Sequence, residues 1–282
     1  MRIAALQMFS QLGNRTANQR RAAALIEEAM QGAAGLSAHA RPDVLVLPEM
    51  WDLGYYPSNV LELGDEDGEE ARRFLSSLAK AHAVNIVGGS VVRRQTSTGS
   101  AGNKGSKESK DGKIWNTTYV FDRQGELVSS YDKAHLFSFA GEEQVFQPGN
   151  ALAWYELDGV KAASVICYDL RFCELTRGLA LGGAQLLFAP AAWAYPRLNH
   201  WRLMLLARAV ENQFFVIGVN ACGQPDKLKF CGHSMLVDPS GEILAEAGDE
   251  EAIIVADCEL ACLPTVRSRI NVYRDRRPDL YC

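Results

Sequence analysis

The sequence predicts a mixed α/β sandwich, with helices outside and sheets within. Short apolar runs alternate with segments of helical periodicity along the whole chain. Several neighbouring runs are joined by short polar turns, as in hairpins. Strand–helix alternation mixed with hairpins is typical of layered α/β domains. Both halves of the 282-residue chain contain similar runs, so we expect a single domain over residues 1–282.

The first half carries five apolar runs and two helical periods. The runs at 114–122 and 126–131 are joined by a short turn, so they are expected to form a hairpin. Residues 93–113 are rich in Ser, Gly and Lys; because the strand pattern continues after them, we expect a flexible loop rather than a domain linker. The predicted strands are 2–8, 43–47, 85–92, 114–122 and 126–131, and the predicted helices are 18–30 and 69–82.

The second half repeats this alternation. A turn at Asp158 and Gly159 joins the first two of its runs as a hairpin. The predicted strands are 152–157, 160–166, 185–189, 214–220, 233–238, 242–246 and 252–258, and the predicted helices are 172–181 and 200–213.

Composition excludes several classes of protein. A net charge of −5 gives no electrostatic reason to expect nucleic acid or an anionic membrane as a partner. The first residues lack a secretory signal pattern and no run is long enough to cross a membrane, so we expect a cytosolic protein. The seven cysteines form no CxxC pair and the histidines form no HxxxH, so neither a disulfide framework nor a metal site is expected.

Three chemically reactive side chains follow predicted strands directly. Glu49 follows the strand VLVL, Lys133 follows ELVSSYD, and Cys167 follows AASVI. Ligands of α/β sheets bind beyond the carboxyl ends of strands. A thiol, a carboxylate and an ammonium together form a complete set for acyl transfer: a nucleophile, a base that takes its proton, and a cation for the developing oxyanion.

Each of these residues also has an ordinary structural explanation. A free cysteine after an apolar strand is more often a small packing residue than a nucleophile. Glu49 could simply end a strand or pair with an arginine, and Lys133 could be a solvated turn residue. The combination of the three, in this sequence context, favours catalysis.

Three motifs resemble the signatures of the nitrilase superfamily of carbon–nitrogen hydrolases: LPEM at 47–50, YDKAHLF at 131–137 and ICYDLRFCEL at 166–175. The resemblance extends over essentially the whole chain. It implies a four-layer α-β-β-α sandwich in which Glu49 is the general base, Lys133 the cation and Cys167 the nucleophile.

The resemblance also implies a second glutamate, seven residues before a glycine in a Pro-Gly turn. Glu142 stands seven residues before Gly149, and Glu143 is the neighbouring alternative. The backbone N–H of Tyr168, directly after the nucleophile, is expected to help Lys133 bind the oxyanion. The implied reaction passes through a thioester and needs no metal or organic cofactor.

The expected substrate is a small amide. The CYDLRF context resembles amidase branches, and the segments around 133–150 and 191–213 resemble omega-amidases, which act on 2-oxo dicarboxylic acid monoamides. The carboxylate of such a substrate needs a cation. Arg197 is the first candidate; Arg171 is the second, although an ion pair with Glu174 is the expected explanation for it.

Tyr55 and Trp193 are expected to line the substrate pocket, although both could be packing residues. Alternatives that remain open are an N-carbamoyl amine or amino-acid amidohydrolase, a non-catalytic scaffold of the same fold, and a redox sensor that uses Cys173 as its resolving cysteine. The resemblance further implies a homodimer, with the helix after Cys167 at the contact.

Overall fold

Two β-sheets lie face to face between outer helices. The computed structural model describes residues 1–32, 41–95 and 112–281. Its strands are β1 (Arg2–Gln7), β2 (Val44–Val46), β3 (Asp65–Glu66), β4 (Asn85–Val87), β5 (Val91–Arg94), β6 (Ile114–Phe121), β7 (Leu127–Asp132), β8 (Trp154–Leu157), β9 (Val160–Ser164), β10 (Leu186–Ala191), β11 (Phe215–Asn220), β12 (Cys222–Gly223), β13 (Phe230–Cys231), β14 (Met235–Val237), β15 (Ile243–Glu246) and β16 (Ala252–Asp257). Its helices are α1 (Arg15–Gln31), α2 (Val60–Leu63), α3 (Glu69–His82), α4 (Cys173–Leu181), α5 (Leu198–Asn212), α6 (Leu263–Arg269) and α7 (Pro278–Tyr281).

The first sheet is built from the first seven strands and the last one, β16, and the second from strands that lie between them in the sequence. The first has the order β16-β1-β2-β4-β6-β5-β3, with β7 also paired to β6. The second has the order β15-β14-β11-β10-β9-β8. Strands β1, β2 and β4 run parallel to one another, as do β9, β10 and β11. Their carboxyl ends therefore carry the segments that build the site.

Alternation along the strands produces the four layers. In β1, Ile3 and Ala5 pack between the sheets, whereas Ala4 and Leu6 face the outer helices. Helices α1 and α3 cover the first sheet, and α4 and α5 cover the second. Because successive strand residues point to opposite faces, strands buried on both faces appear as continuous apolar runs. The α-β-β-α sandwich expected from the sequence is confirmed.

One predicted strand is two strands. The expected strand at 85–92 is interrupted between β4 and β5 by Gly88, Gly89 and Ser90. Gly89 has φ +61°, and a Cβ there would lie 2.1 Å from the carbonyl oxygen of Pro48. The break places Ser90 so that its hydroxyl oxygen accepts a hydrogen bond from the backbone N–H of Met50, at 3.1 Å. The turn thus supports the segment that carries Glu49.

Two other boundaries bear on the prediction. Strand β5 extends to Arg94, so the predicted loop at 93–113 begins later, and its residues 96–111 lie outside the described residues. Strand β10 continues two residues beyond its predicted end, to Ala191. In the part of the chain that the structure describes, no helix has the length and apolar character needed to cross a membrane.

Candidate active site

Glu49 lies three residues beyond β2 and is held on both carboxylate oxygens. Its Oε1 accepts hydrogen bonds from Lys133 Nζ and Asn116 Nδ2, each at 2.8 Å. Its Oε2 accepts from the backbone N–H of Ala192 at 2.8 Å. The residue is 2% exposed. A buried carboxylate with three donors keeps one orientation, which a general base requires.

Lys133 lies directly after β7, between two carboxylates. Its Nζ donates to Glu49 at 2.8 Å and to Glu142 Oε1 at 3.0 Å. Burial lowers the pKa of Lys133, but the charges of Glu49 and Glu142 outweigh burial and raise it. The side chain is therefore an ammonium, and its charge acts on the thiol of Cys167.

Gly149 explains the spacing that identified Glu142. Its N–H donates to the carbonyl oxygen of Lys133 at 2.8 Å. A Cβ at Gly149 would lie 2.0 Å from the carbonyl oxygen of Asp132, so only glycine fits this close approach. The glycine thereby returns the chain after Glu142 to the end of β7.

Glu142 is fully buried, whereas Glu143 is exposed. Glu142 Oε1 accepts from the hydroxyl of Tyr55 at 2.9 Å as well as from Lys133, and its Oε2 accepts from the N–H of Phe137 at 2.8 Å. The geometry therefore brings Glu142, and not Glu143, to the ammonium.

Cys167 follows β9 by two intervening residues and begins a short 3₁₀ turn that ends at Arg171. Its φ of +47° is in the left-handed region, which is uncommon outside glycine. Tyr168 is the second residue of the turn, where a backbone N–H has no acceptor within the helix. That N–H is available to an oxyanion next to the nucleophile.

Burial and nearby charges favour the protonated form of the Cys167 thiol. Burial and the charge of Glu49 raise its pKa well above the usual range, although Lys133 and the N–H of Ala192 oppose the rise. The attraction of the Lys133 ammonium for a thiolate is thus outweighed by burial and by the nearby carboxylate. A protonated thiol needs a base before it can act as a nucleophile, and Glu49 is a carboxylate whose charge acts on this thiol.

A cavity of about 350 Å³ opens over Cys167. The three residues proposed from the sequence to bind substrate, Tyr55, Trp193 and Arg197, line this cavity, and so does Tyr168. The guanidinium of Arg197 lies 5.7 Å from the ring centroid of Phe137.

Arg171 lines the same cavity and corrects a prediction. Its guanidinium lies 4.7 Å above the Trp193 ring and 3.3 Å from His200 Nδ1. Glu174 is instead bonded by the thiol of Cys173, at 3.4 Å. The ion pairs of the described residues do not join Arg171 to Glu174, so this arginine is directed to the cavity. Arg171 belongs to the CYDLRF motif that begins with Cys167. This short distance in sequence was the signal that could have placed Arg171 at the cavity.

Several residues at the site were not identified from the sequence. Asn116 is a buried amide in β6, followed by two buried threonines, and it donates a hydrogen bond to Glu49. Ala192 contributes only its backbone, which leaves no sequence signal. Residues 225–228, between β12 and β13, form one wall of the cavity. Among the described residues, no group of three or more His, Cys, Asp or Glu side chains is arranged to hold a metal ion.

The fold and site together define a hydrolase of the α-β-β-α type, with a thiol, a carboxylate and an ammonium at one end of the sheets. The chain belongs to the carbon–nitrogen hydrolase family, whose model matches residues 2–267. This confirms the family predicted from the three sequence motifs.

Three relatives illustrate the similarity. The 2-oxoglutaramate amidase of Bacillus subtilis (strain 168) is 41% identical over 279 residues, covering 99% of this chain and 98% of the relative. Omega-amidase NIT2 of Homo sapiens is 33% identical over 248 residues, covering 84% of each chain. The crystal structure of Saccharomyces cerevisiae Nit3, a member of branch 10 of the nitrilase superfamily, matches with a TM-score of 0.85 and 29% identity, covering 98% of this chain and 96% of that one.

Proposed function

We propose that the protein is an omega-amidase, which hydrolyses the terminal amide of a 2-oxo dicarboxylic acid monoamide and releases ammonia. The observation that carries this proposal is the presence of two arginines, Arg171 and Arg197, in the cavity that contains Cys167. A substrate that carries both a carboxylate and an amide fits a cavity that contains two guanidiniums and a thiol. The similarity to 2-oxoglutaramate amidase supports the same substrate.

The acylation step begins with the neutral thiol. Cys167 Sγ attacks the amide carbon while Glu49 takes the thiol proton. The carbonyl oxygen becomes an oxyanion, which Lys133 and the N–H of Tyr168 stabilise. Glu49 then gives the proton to the departing nitrogen, the carbon–nitrogen bond breaks, and ammonia leaves a thioester on Cys167.

The deacylation step uses the same groups. Glu49 takes a proton from water, and the resulting hydroxide attacks the thioester carbon. The second oxyanion is bound as the first was. It collapses to the carboxylic acid, and the proton on Glu49 returns to the Cys167 sulfur. Glu142 keeps the ammonium of Lys133 in place through both steps, since it binds the same Nζ as Glu49.

A screen of ammonia release tests the substrate class. Omega-amides of 2-oxo acids, N-carbamoyl amino acids and aliphatic nitriles are compared under one set of conditions. Hydrolysis of the omega-amides with the highest kcat/KM is expected. Faster release from the carbamoyl compounds than from the omega-amides would replace this function with the N-carbamoyl alternative.

Replacing Arg197 tests how the carboxylate is held. Arg197→Gln is expected to raise KM for 2-oxoglutaramate about 10- to 100-fold, because a charge-assisted hydrogen bond is lost. KM for an uncharged amide of the same length should stay the same. Arg202→Gln is the matched control, because Arg202 lies on α5, pairs with Glu246 of β15 and does not line the cavity. Equal effects on the charged and uncharged amides would contradict a carboxylate contact.

We further propose that residues 1–282 form one domain that pairs as a homodimer in the cytoplasm. Free thiols at all six described cysteines suit a reducing compartment, and cell fractionation tests this location.

Leu175 and Leu179 of α4 pack on their own sheet, whereas Leu203 and Val210 of α5 are 58% and 50% exposed. The contact is therefore expected on α5 rather than mainly on α4. Light scattering should give twice the monomer mass, and a monomer mass would refute the dimer.

A further inference from the structure

Asp169 is a fully buried carboxylate to which the reaction above gives no role. It lies two residues after Cys167, within the same 3₁₀ turn. Buried charges are rare unless they are hydrogen-bonded, and each one needs an explanation.

Four donors surround this carboxylate. Asp169 Oδ2 accepts from the backbone N–H of Ile166 at 2.9 Å and from the hydroxyl of Tyr131 at 2.8 Å. Its Oδ1 accepts from the backbone N–H of His135 at 2.9 Å and from His135 Nδ1 at 2.8 Å. Burial and the charge of Asp169 raise the pKa of Tyr131, so that hydroxyl remains a donor.

The donors belong to the two segments that carry Lys133 and Cys167. Tyr131 and His135 flank Lys133 by two residues on either side, and Ile166 directly precedes Cys167. The His135 ring is also stacked on Phe172, with centroids 3.6 Å apart, at the far end of the nucleophile turn. One carboxylate thus joins the segment that carries the ammonium to the segment that carries the thiol.

The backbone of Cys167 needs such support. A non-glycine residue at φ +47° is held in a sparsely populated conformation, which persists only where its surroundings fix it. The hydrogen bond from the Ile166 N–H to Asp169 Oδ2 joins a residue before Cys167 to a residue after it, and so restrains the turn that contains Cys167. Without it, the turn loses a restraint on the direction of the thiol.

We propose that Asp169 is a positioning residue, which fixes the Cys167 thiol relative to the Lys133 ammonium by bonding Ile166, Tyr131 and His135. This inference rests on the proposed amidase reaction but concerns geometry rather than substrate. Asp169 does not touch the substrate; it acts through the two segments that it joins.

The test uses Asp169→Asn in the full-length protein. The substitution replaces one carboxylate oxygen of Asp169, which accepts two hydrogen bonds, with an NH₂ group that can only donate. This group would face two donors, so the hydrogen bonds that join the Lys133 and Cys167 segments at that position would be lost. We expect kcat for 2-oxoglutaramate to fall about 100-fold, as for a reacting group displaced by about 1 Å, while KM changes less than about twofold. Alkylation of Cys167 by iodoacetamide, followed on its peptide by mass spectrometry, should slow about 10-fold per folded molecule, since the base no longer meets the thiol.

Asp65→Asn is the matched control. Asp65 is also buried and also accepts two backbone N–H bonds, from Glu70 and Ala71, but at the start of α3 on the outer face of the first sheet. Asp65→Asn should lower thermal stability while leaving the Cys167 alkylation rate and kcat per folded molecule unchanged. If Asp169 had only a structural role, Asp169→Asn would give this same result.

If Asp169→Asn does not fold, Tyr131→Phe tests the same positioning role of Asp169. It removes one donor to Asp169 and keeps the ring, so kcat and Cys167 alkylation should each fall, by less than in Asp169→Asn. Wild-type values of both quantities in a folded Tyr131→Phe or Asp169→Asn protein would overturn the proposal. The substrate question is separate: if the wild type released no ammonia from omega-amides, the proposed function would fail, and the alkylation rates would still decide the role of Asp169.

Discussion

Cys167→Ala is expected to lose ammonia release by at least about 10⁴-fold, since removal of a covalent nucleophile leaves only the binding and oxyanion contributions. The fold should survive, because the change removes one sulfur atom from a residue that lines a cavity. Steady-state ammonia release on 2-oxoglutaramate, with circular dichroism as the folding check, measures both points.

Cys173→Ala provides the matched control for that experiment. Cys173 is exposed at the start of α4 and bonds Glu174. It should retain wild-type activity. Substantial activity in Cys167→Ala, or an equal loss in the two variants, would refute a Cys167 thioester and would direct attention to Cys173 and the redox alternative.

Lys133→Met is expected to affect both stability and rate. The substitution leaves Glu49 and Glu142 buried without their shared cation, so the free energy of unfolding should fall by about 3–5 kcal/mol. Loss of the oxyanion contact should lower kcat by about 10²- to 10³-fold in the molecules that remain folded. Urea unfolding and ammonia release, measured on the same preparation, separate these effects.

A second substitution distinguishes pairing from packing at Lys133. Adding Glu142→Gln to Lys133→Met removes one of the two unpaired carboxylates, so part of the lost stability should return without recovery of kcat. Lys80→Met, an exposed lysine in the last turn of α3, is the control and should change neither quantity. A double variant no more stable than Lys133→Met would contradict the electrostatic account of this cluster.

The layers and the reactive residues could be predicted because each leaves a local pattern. Strands buried on both faces give continuous apolar runs, and residues directly beyond their carboxyl ends meet at one edge of a sheet. Glu49, Lys133 and Cys167 each lie just beyond the carboxyl end of a strand. Glu142 depended on its spacing from Gly149, which the structure explains by the 2.0 Å approach to Asp132.

What could not be predicted depends on contacts between distant segments. The raised pKa of the Cys167 thiol follows from burial and from the charge of Glu49, which is 118 residues away in sequence. The break between β4 and β5 follows from the close approach of Gly89 to Pro48. Arg171 was expected to pair with its neighbour Glu174, but the cavity wall formed by Trp193 holds it instead. None of these is a local property of the sequence.

The central claim is that Cys167 carries the acyl group during turnover. Its most direct test is mass spectrometry of the enzyme quenched in acid while it hydrolyses 2-oxoglutaramate. We predict an acyl adduct on the peptide that contains Cys167, bound as a thioester and therefore released by hydroxylamine. Ammonia release with that peptide unmodified throughout turnover, or an adduct on another residue, would contradict it.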